Sequence, residues 1–175
     1  ERKILDRVSF SVYDKLRDDA ITGQIVGVTG RSGVGKTRLL RIIAGLYKPD
    51  SGCVTCDSSI PSGIGNVGMV FQSYPLVKHL TVLGNMRLAA RMAPGREGHD
   101  VRITELLKAF DLYDRAGALP CELSGGQRQR VAIAQQLVNP KRLLALDEPF
   151  SGLDPVALDR VSRMLVSVAN QHELN

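Results

Sequence analysis

Gly30-Arg31-Ser32-Gly33-Val34-Gly35-Lys36-Thr37 sets glycines ahead of a lysine and a hydroxyl. Glycine lets a backbone curl until successive N–H groups face one anion. A helix starting directly after the loop adds its positive N-terminal end. Lys36 can then reach the outer phosphates of a nucleotide, and the Thr37 hydroxyl can ligate Mg²⁺. This is the GxxxxGKS/T (Walker A) pattern, which by itself points to a nucleoside triphosphatase or a kinase. A pair of carboxylates lies far downstream, where Asp147 and Glu148 follow the apolar run Leu143-Leu144-Ala145-Leu146. A buried strand would carry Asp147 to the C-terminal edge of a sheet, where α/β sites form. Asp147 would hold Mg²⁺, directly or through water. Glu148 would face the far side of the terminal phosphate and accept a proton from the attacking water.

The flanking pattern supplies elements to position these groups. Val8–Val12 alternates apolar and polar residues, which predicts a half-buried strand, and charged Asp14–Asp19 predicts a loop. Ile25–Thr29 is a short apolar run and predicts a buried strand leading into the phosphate loop. Thr37–Ala44 predicts a helix, closed by Gly45 and followed by a turn at Lys48–Gly52. Cys53–Cys56 and Val67–Phe71 predict strands, with Gln72 directly after the second. Residues 73–122 read as a helical insert, with helices over Val82–Met92 and Val101–Phe110, a break at Pro94-Gly95 and a loop through Pro120. A helix over Gly126–Val138, a strand over Leu143–Leu146 and a helix over Val156–Ala169 follow. Alternating strands and helices argue for an α/β core with a largely parallel sheet.

With these motifs in order, the chain resembles the ABC ATPase family over nearly all of its length. The most specific residues are Leu123-Ser124-Gly125-Gly126-Gln127, similar to the family's LSGGQ signature, followed by Arg128-Gln129-Arg130-Val131-Ala132-Ile133-Ala134. Gln72 resembles the Q-loop glutamine, Pro149 fits the extension of the Asp147-Glu148 (Walker B) motif, and Ser151-Gly152-Leu153-Asp154 resembles the D-loop. The resemblance implies a P-loop NTPase core with a mainly parallel sheet, an antiparallel β subdomain and a helical subdomain. It divides the chain into a first core part over 1–72, a helical subdomain over 73–122, and the signature helix with the second core part over 123–175. It implies ATP and Mg²⁺ as cofactors. Gly30, Arg31, Ser32, Gly33, Val34, Gly35, Lys36 and Thr37 would bind the nucleotide, with Thr37, Gln72 and Asp147 at the metal. Glu148, Gln72 and Lys36 would be catalytic. Two copies would face head to tail, so that Ser124, Gly125, Gly126, Gln127 and Asp154 of one meet the nucleotide of the other. Partner permease subunits would cross the membrane, and the domain would lie on the cytoplasmic face of the cell membrane.

The family's switch histidine follows a further apolar strand, which is not found before Asn175; the resemblance therefore implies C-terminal truncation and leaves hydrolysis by these residues alone open. His172 has no strand before it and is not assigned that role. Tyr13 has the chemistry to stack on adenine but follows the Val8–Val12 run too closely to be assigned.

With 175 residues, 43% of them hydrophobic and 23% charged, the chain can form a globular domain with its own core. A net charge of +5 suits polyanion partners without choosing among nucleotide, nucleic acid and anionic membrane. An odd cysteine count suits a reducing compartment, and Cys53 and Cys56 lack nearby companions for a zinc site. No apolar run reaches the roughly 18 residues of a membrane span, so a membrane role must come through a partner. The length of the 73–122 insert and the run Gln72-Ser73-Tyr74-Pro75-Leu76-Val77-Lys78-His79 resemble importer-type transporter ATPases. The alternatives are a soluble ABC ATPase acting on ribosomes or nucleic acid, and a non-catalytic structural member. Intact Lys36, Asp147 and Glu148 argue against the last.

Overall fold

The computed structural model describes residues 4–13, 15–17, 20–22, 24–56, 60–61, 66–92, 99–139, 141, 143–151 and 155–171. Its strands are β1 (Lys15–Arg17), β2 (Ala20–Thr22), β3 (Thr55–Cys56), β4 (Ile60–Pro61), β5 (Val67–Val70) and β6 (Leu143–Leu146). Its helices are α1 (Lys36–Ile43), α2 (Val82–Arg91), α3 (His99–Ala109), α4 (Gly125–Leu137) and α5 (Pro155–Gln171). β1 with β2 and β3 with β4 form antiparallel hairpins, whereas β5 and β6 run parallel, from Val67 opposite Leu143 to Val70 opposite Leu146.

The β5–β6 pair is the middle layer of an α/β sandwich. Side chains alternate across a strand, and the two apolar clusters divide accordingly. Val67, Met69, Leu143 and Ala145 pack with Leu40, Ile43 and Ala44 at α1. Val70, Leu144 and Leu146 belong to the larger cluster on the opposite face, with α2, α3, α4 and α5. Gly68 permits this packing, because a Cβ there would lie 2.9 Å from Leu144 Cδ1 and 3.2 Å from Gln136 Cβ. The helices meet the cluster through residues at helical spacing: Val82, Met86 and Ala90 on α2, Ile103, Leu106 and Leu107 on α3, and Val161 and Leu165 on α5. Each fully buried aliphatic side chain contributes about 1.5–3 kcal/mol. The cluster therefore makes α4 a fixed part of the structure, although the helix carries polar residues along much of its length.

Several expectations change. Val8–Val12 and Ile25–Thr29 form no strand, and Val8, Phe10, Ile25 and Val26 are more than half exposed. Among the described residues neither run has a ladder partner. Apolar composition favours burial, but a strand also needs a neighbour for its backbone N–H and C=O groups. The described parallel sheet is therefore the β5–β6 pair, without the expected strand at Ile25–Thr29. The opposite change occurs within Asp14–Asp19, where the expected loop contains β1. Charged residues lower strand propensity, yet the β1–β2 ladder satisfies backbone groups whatever the side chains. The Cys53–Cys56 strand shortens to Thr55–Cys56, and the strand before Gln72 ends at Val70.

Candidate active site

The phosphate loop reaches α1 through backbone that only glycine adopts readily. Gly33 has φ +77° and Gly35 has φ +109°, and a Cβ on Gly35 would come within 2.8 Å of Ile4 Cγ2. Gly35 is also the N-terminal flank of α1, so the first N–H groups of that helix open toward the loop. Lys36 curls back, and its Nζ donates to the carbonyls of Gly30 at 2.9 Å and Arg31 at 3.0 Å. The ammonium is thus held over the loop by weak carbonyl acceptors that a phosphate oxygen can replace.

The carboxylates arrive on β6. The ladder brings the end of β6 beside the end of β5, and the Asp147 N–H donates to Val70 O at 3.0 Å. Asp147 is only 8% exposed, and its Oδ1 accepts from Thr37 Oγ1 at 3.0 Å. Among the described residues no cationic side chain pairs with it. A buried carboxylate beside a hydroxyl is an all-oxygen donor set and fits a hard cation such as Mg²⁺. Glu148 lies outside this pair, exposed, with φ +50°. Left-handed backbone at a non-glycine residue costs about 1–2 kcal/mol, so other contacts must hold the turn. Ser151 N–H donates to Glu148 O at 3.1 Å. Gln72 Nε2 donates to Glu148 Oε2 at 2.9 Å and lies 3.5 Å from Ser151 Oγ. The segment after β5 and the turn after β6 are therefore joined at Glu148.

Two residues beyond Gln72, Tyr74 also has left-handed backbone, with φ +44°. Its hydroxyl is buried without a hydrogen-bond partner among the described residues, and burial raises the phenol pKa above its ordinary value.

Ser124 caps α4. Its Oγ accepts from Gln127 N at 3.2 Å, and the Gln127 side chain returns to accept from Ser124 N at 2.9 Å. This reciprocal capping box orders the first turn through Gly125 and Gly126. Ser124 and Gly125 are exposed. Among the described residues no hydrogen bond joins 124–127 to the phosphate loop of the same chain. Asp154 lies outside the described residues, as does His172. Tyr13 is 78% exposed.

Two contributors lie within runs matched to the family but carry no site role in the sequence reading. Ser151 stands beside the Gln72–Glu148 pair. Gln129, fully buried on α4, donates through Nε2 to Pro149 O. The signal for Gln129 is its position three and four residues before Ala132 and Ile133, on the apolar stripe of the helix, where a polar residue is out of place.

Residues 13–151 match the family described as ABC transporter. The spermidine/putrescine import ATP-binding protein PotA of Pseudomonas aeruginosa is 40% identical over 164 residues, covering 91% of this chain and 45% of that protein. The sulfate/thiosulfate import ATP-binding protein CysA of Pseudomonas aeruginosa is 40% identical over 174 residues, covering 94% of this chain and 52% of that protein. The chain thus spans about half the length of these curated relatives. A solved bacterial ABC transporter cassette in dimeric form shares the fold with a TM-score of 0.69 and 33% identity, covering 79% of this chain and 66% of that one.

Proposed function

The chain belongs to the ABC transporter family, and from that premise we propose that it binds and hydrolyses ATP to drive cargo movement by partner membrane subunits. The observation that carries the reading is the convergence of three separate segments. Thr37 after the phosphate loop meets Asp147 at 3.0 Å, and Gln72 after β5 meets Glu148 at 2.9 Å.

Each residue has a definite task in that arrangement. The curled loop Gly30–Thr37 and the start of α1 receive the β- and γ-phosphates. Lys36 exchanges its two carbonyl acceptors for phosphate oxygens. Thr37 Oγ1 and the Asp147 carboxylate would hold Mg²⁺, with Gln72, beside Glu148, as a further candidate ligand; the ion would neutralise charge developing on the phosphates. Glu148 accepts a proton from the attacking water. Gln72, donating to Glu148 Oε2, orients the carboxylate so that Oε1 is available to that water.

The exposed Ser124 turn supports a trans role. Among the described residues no acidic side chain hydrogen-bonds the N–H groups of this helix start, and those of a second copy can supply one side of each nucleotide site, to which the family resemblance would add Asp154. The domain division at 72 and 122 goes with this reading: 73–122 faces the permease, and the flanking parts bind nucleotide. No helix among the described residues is long and apolar enough to cross a membrane, which suits a domain peripheral to the cytoplasmic face. The relatives' names as import ATP-binding proteins favour import. They also favour a transporter over action on ribosomes or nucleic acid. Their cargoes, polyamine cations and sulfate anions, have opposite charge, so cargo choice belongs to the partners.

Calorimetry with Mg-ATP on K36A tests the cradle. Affinity should fall at least tenfold, about 1.4 kcal/mol. Unchanged affinity would remove the loop from nucleotide binding.

A further inference from the structure

We propose that Gln129 is a positioning residue for hydrolysis, through which the signature helix α4 holds the turn that carries Glu148. The inference rests on the reading of Glu148 as the general base. Gln129 is fully buried, on a helix whose Val131, Ala132, Ile133 and Ala134 are core. An amide in such a place is costly unless it is hydrogen-bonded. Gln129 is bonded on one side only. Its Nε2 donates to Pro149 O, while its Oε1 is buried without a partner among the described residues. A leucine or methionine would fill the same space without an orphaned oxygen. Core packing therefore does not account for glutamine here, whereas the bond to Pro149 does.

Pro149 directly follows Glu148, whose φ of +50° is not self-sustaining. The turn is restrained on several sides: Val70 O accepts from Asp147 N–H, Gln72 donates to the Glu148 side chain, and Ser151 N–H donates to Glu148 O. Gln129 supplies the restraint from α4. Its side chain leaves the helix little more than one turn from the capping residue Ser124. A displacement of that helix start, such as an anion meeting Ser124 would cause, is transmitted along a rigid, buried helix to the carbonyl adjoining the base. Gln129 thus links occupancy of the signature to the orientation of Glu148 without touching nucleotide.

The test uses Q129M and Q129L in the full-length gene product. Both remove the donor and keep the volume. Turnover at saturating ATP should drop about 10–100-fold, because a small misplacement of a catalytic group has effects of that size. ATP affinity and KM should stay within about twofold, since Lys36 and Thr37 are untouched. Thermal stability should be equal or higher, the reverse of what a purely structural role predicts. In an E148Q background, Q129M should leave the residual turnover unchanged, because a residue acting only through Glu148 has nothing further to remove. Independently of activity, amide exchange at Ser151 should quicken in Q129M by about tenfold as the turn loosens, with Asp147 N–H unchanged. Wild-type turnover in a folded Q129M or Q129L, or an equal fractional loss with and without Glu148, would overturn the inference. If both variants failed to fold, Gln129 would be structural and the inference would also fall. Normal turnover in E148Q would instead remove the premise about the base, an outcome distinguishable from these.

Discussion

At Glu148, the proposed base, small displacements should change turnover. Its carboxylate accepts from Gln72 while that of Asp147 accepts from Thr37, so under the proposed function the adjacent acids would divide into a base and a metal ligand. E148Q keeps the shape of the side chain and its place beside Gln72 but loses most of its proton affinity. It should bind ATP normally while turnover falls by about 10²–10⁴; a phosphate-release assay beside calorimetry separates the two quantities. Tyr74 offers a pH-dependent counterpart. Its phenol pKa is raised by burial, so the folded state keeps the proton to higher pH than the unfolded chain. The stability tied to that proton is full below pH about 10 and is lost as pH rises through the raised folded value. Y74F should therefore lose less stability than wild type between pH 8 and pH 11, read from urea midpoints at each pH. Identical pH dependence in the two proteins would show that the hydroxyl is solvated.

α2 carries a polar device that orders the loop beyond Gln72. Asn85 is fully buried, and its Nδ2 donates to the carbonyls of Val77, Leu80 and Thr81, while its Oδ1 accepts from Val77 N–H. The same helix is stitched to α4 by Gln135 Nε2 on Asn85 O, and to the segment just beyond α4 by Asn139 Nδ2 on Ala89 O. Arg130 completes the junction by donating to Phe110 O and Asp111 Oδ2 at the end of α3. N85L keeps bulk and leaves Val77 N–H and the loop carbonyls unmatched in a buried place. A loss of about 2–4 kcal/mol is expected from several unpaired groups, measured by chemical denaturation. A change below about 0.5 kcal/mol would mean that water replaces the side chain at little cost.

Association is the question for the whole molecule. The phosphate loop and the signature would each present a helix start to an anion, yet no hydrogen bond joins them among the described residues of one chain. A γ-phosphate shared between copies would satisfy both and make ATP part of the interface. The net charge of +5 opposes pairing until bound triphosphates offset it, and ligand that favours the closed pair shifts monomer toward dimer. Full-length E148Q should move from monomer to dimer in light scattering with ATP and Mg²⁺, across a concentration series, and ADP should not produce this shift. S124R should abolish the shift while leaving nucleotide binding at the phosphate loop intact. An S124R protein that dimerised as before would remove the signature from the interface.

The motif chemistry was legible in sequence because it depends on residue type at short spacing. Gly33, Gly35, Lys36 and Thr37 act within one turn of chain, and Ser124 with Gln127 closes a capping box across consecutive residues. Helix positions were legible for the same reason: apolar periodicity on α2, α3 and α5 is a local property. Strand pairing is not local. Ile25–Thr29 has strand composition but no ladder partner among the described residues, and β1 has loop composition but gains one. The links that assemble the site are also distant in sequence: Thr37 to Asp147, Gln72 to Glu148, and Gln129 to Pro149. No spacing rule encodes them, because each depends on the parallel register of β5 and β6 and on α4 packing against Gly68. The sequence by itself therefore determined which residue types stand together at short spacing and which segments are helical. Only the tertiary structure decided which of them meet, because meeting requires long-range backbone pairing and close packing that no local pattern specifies.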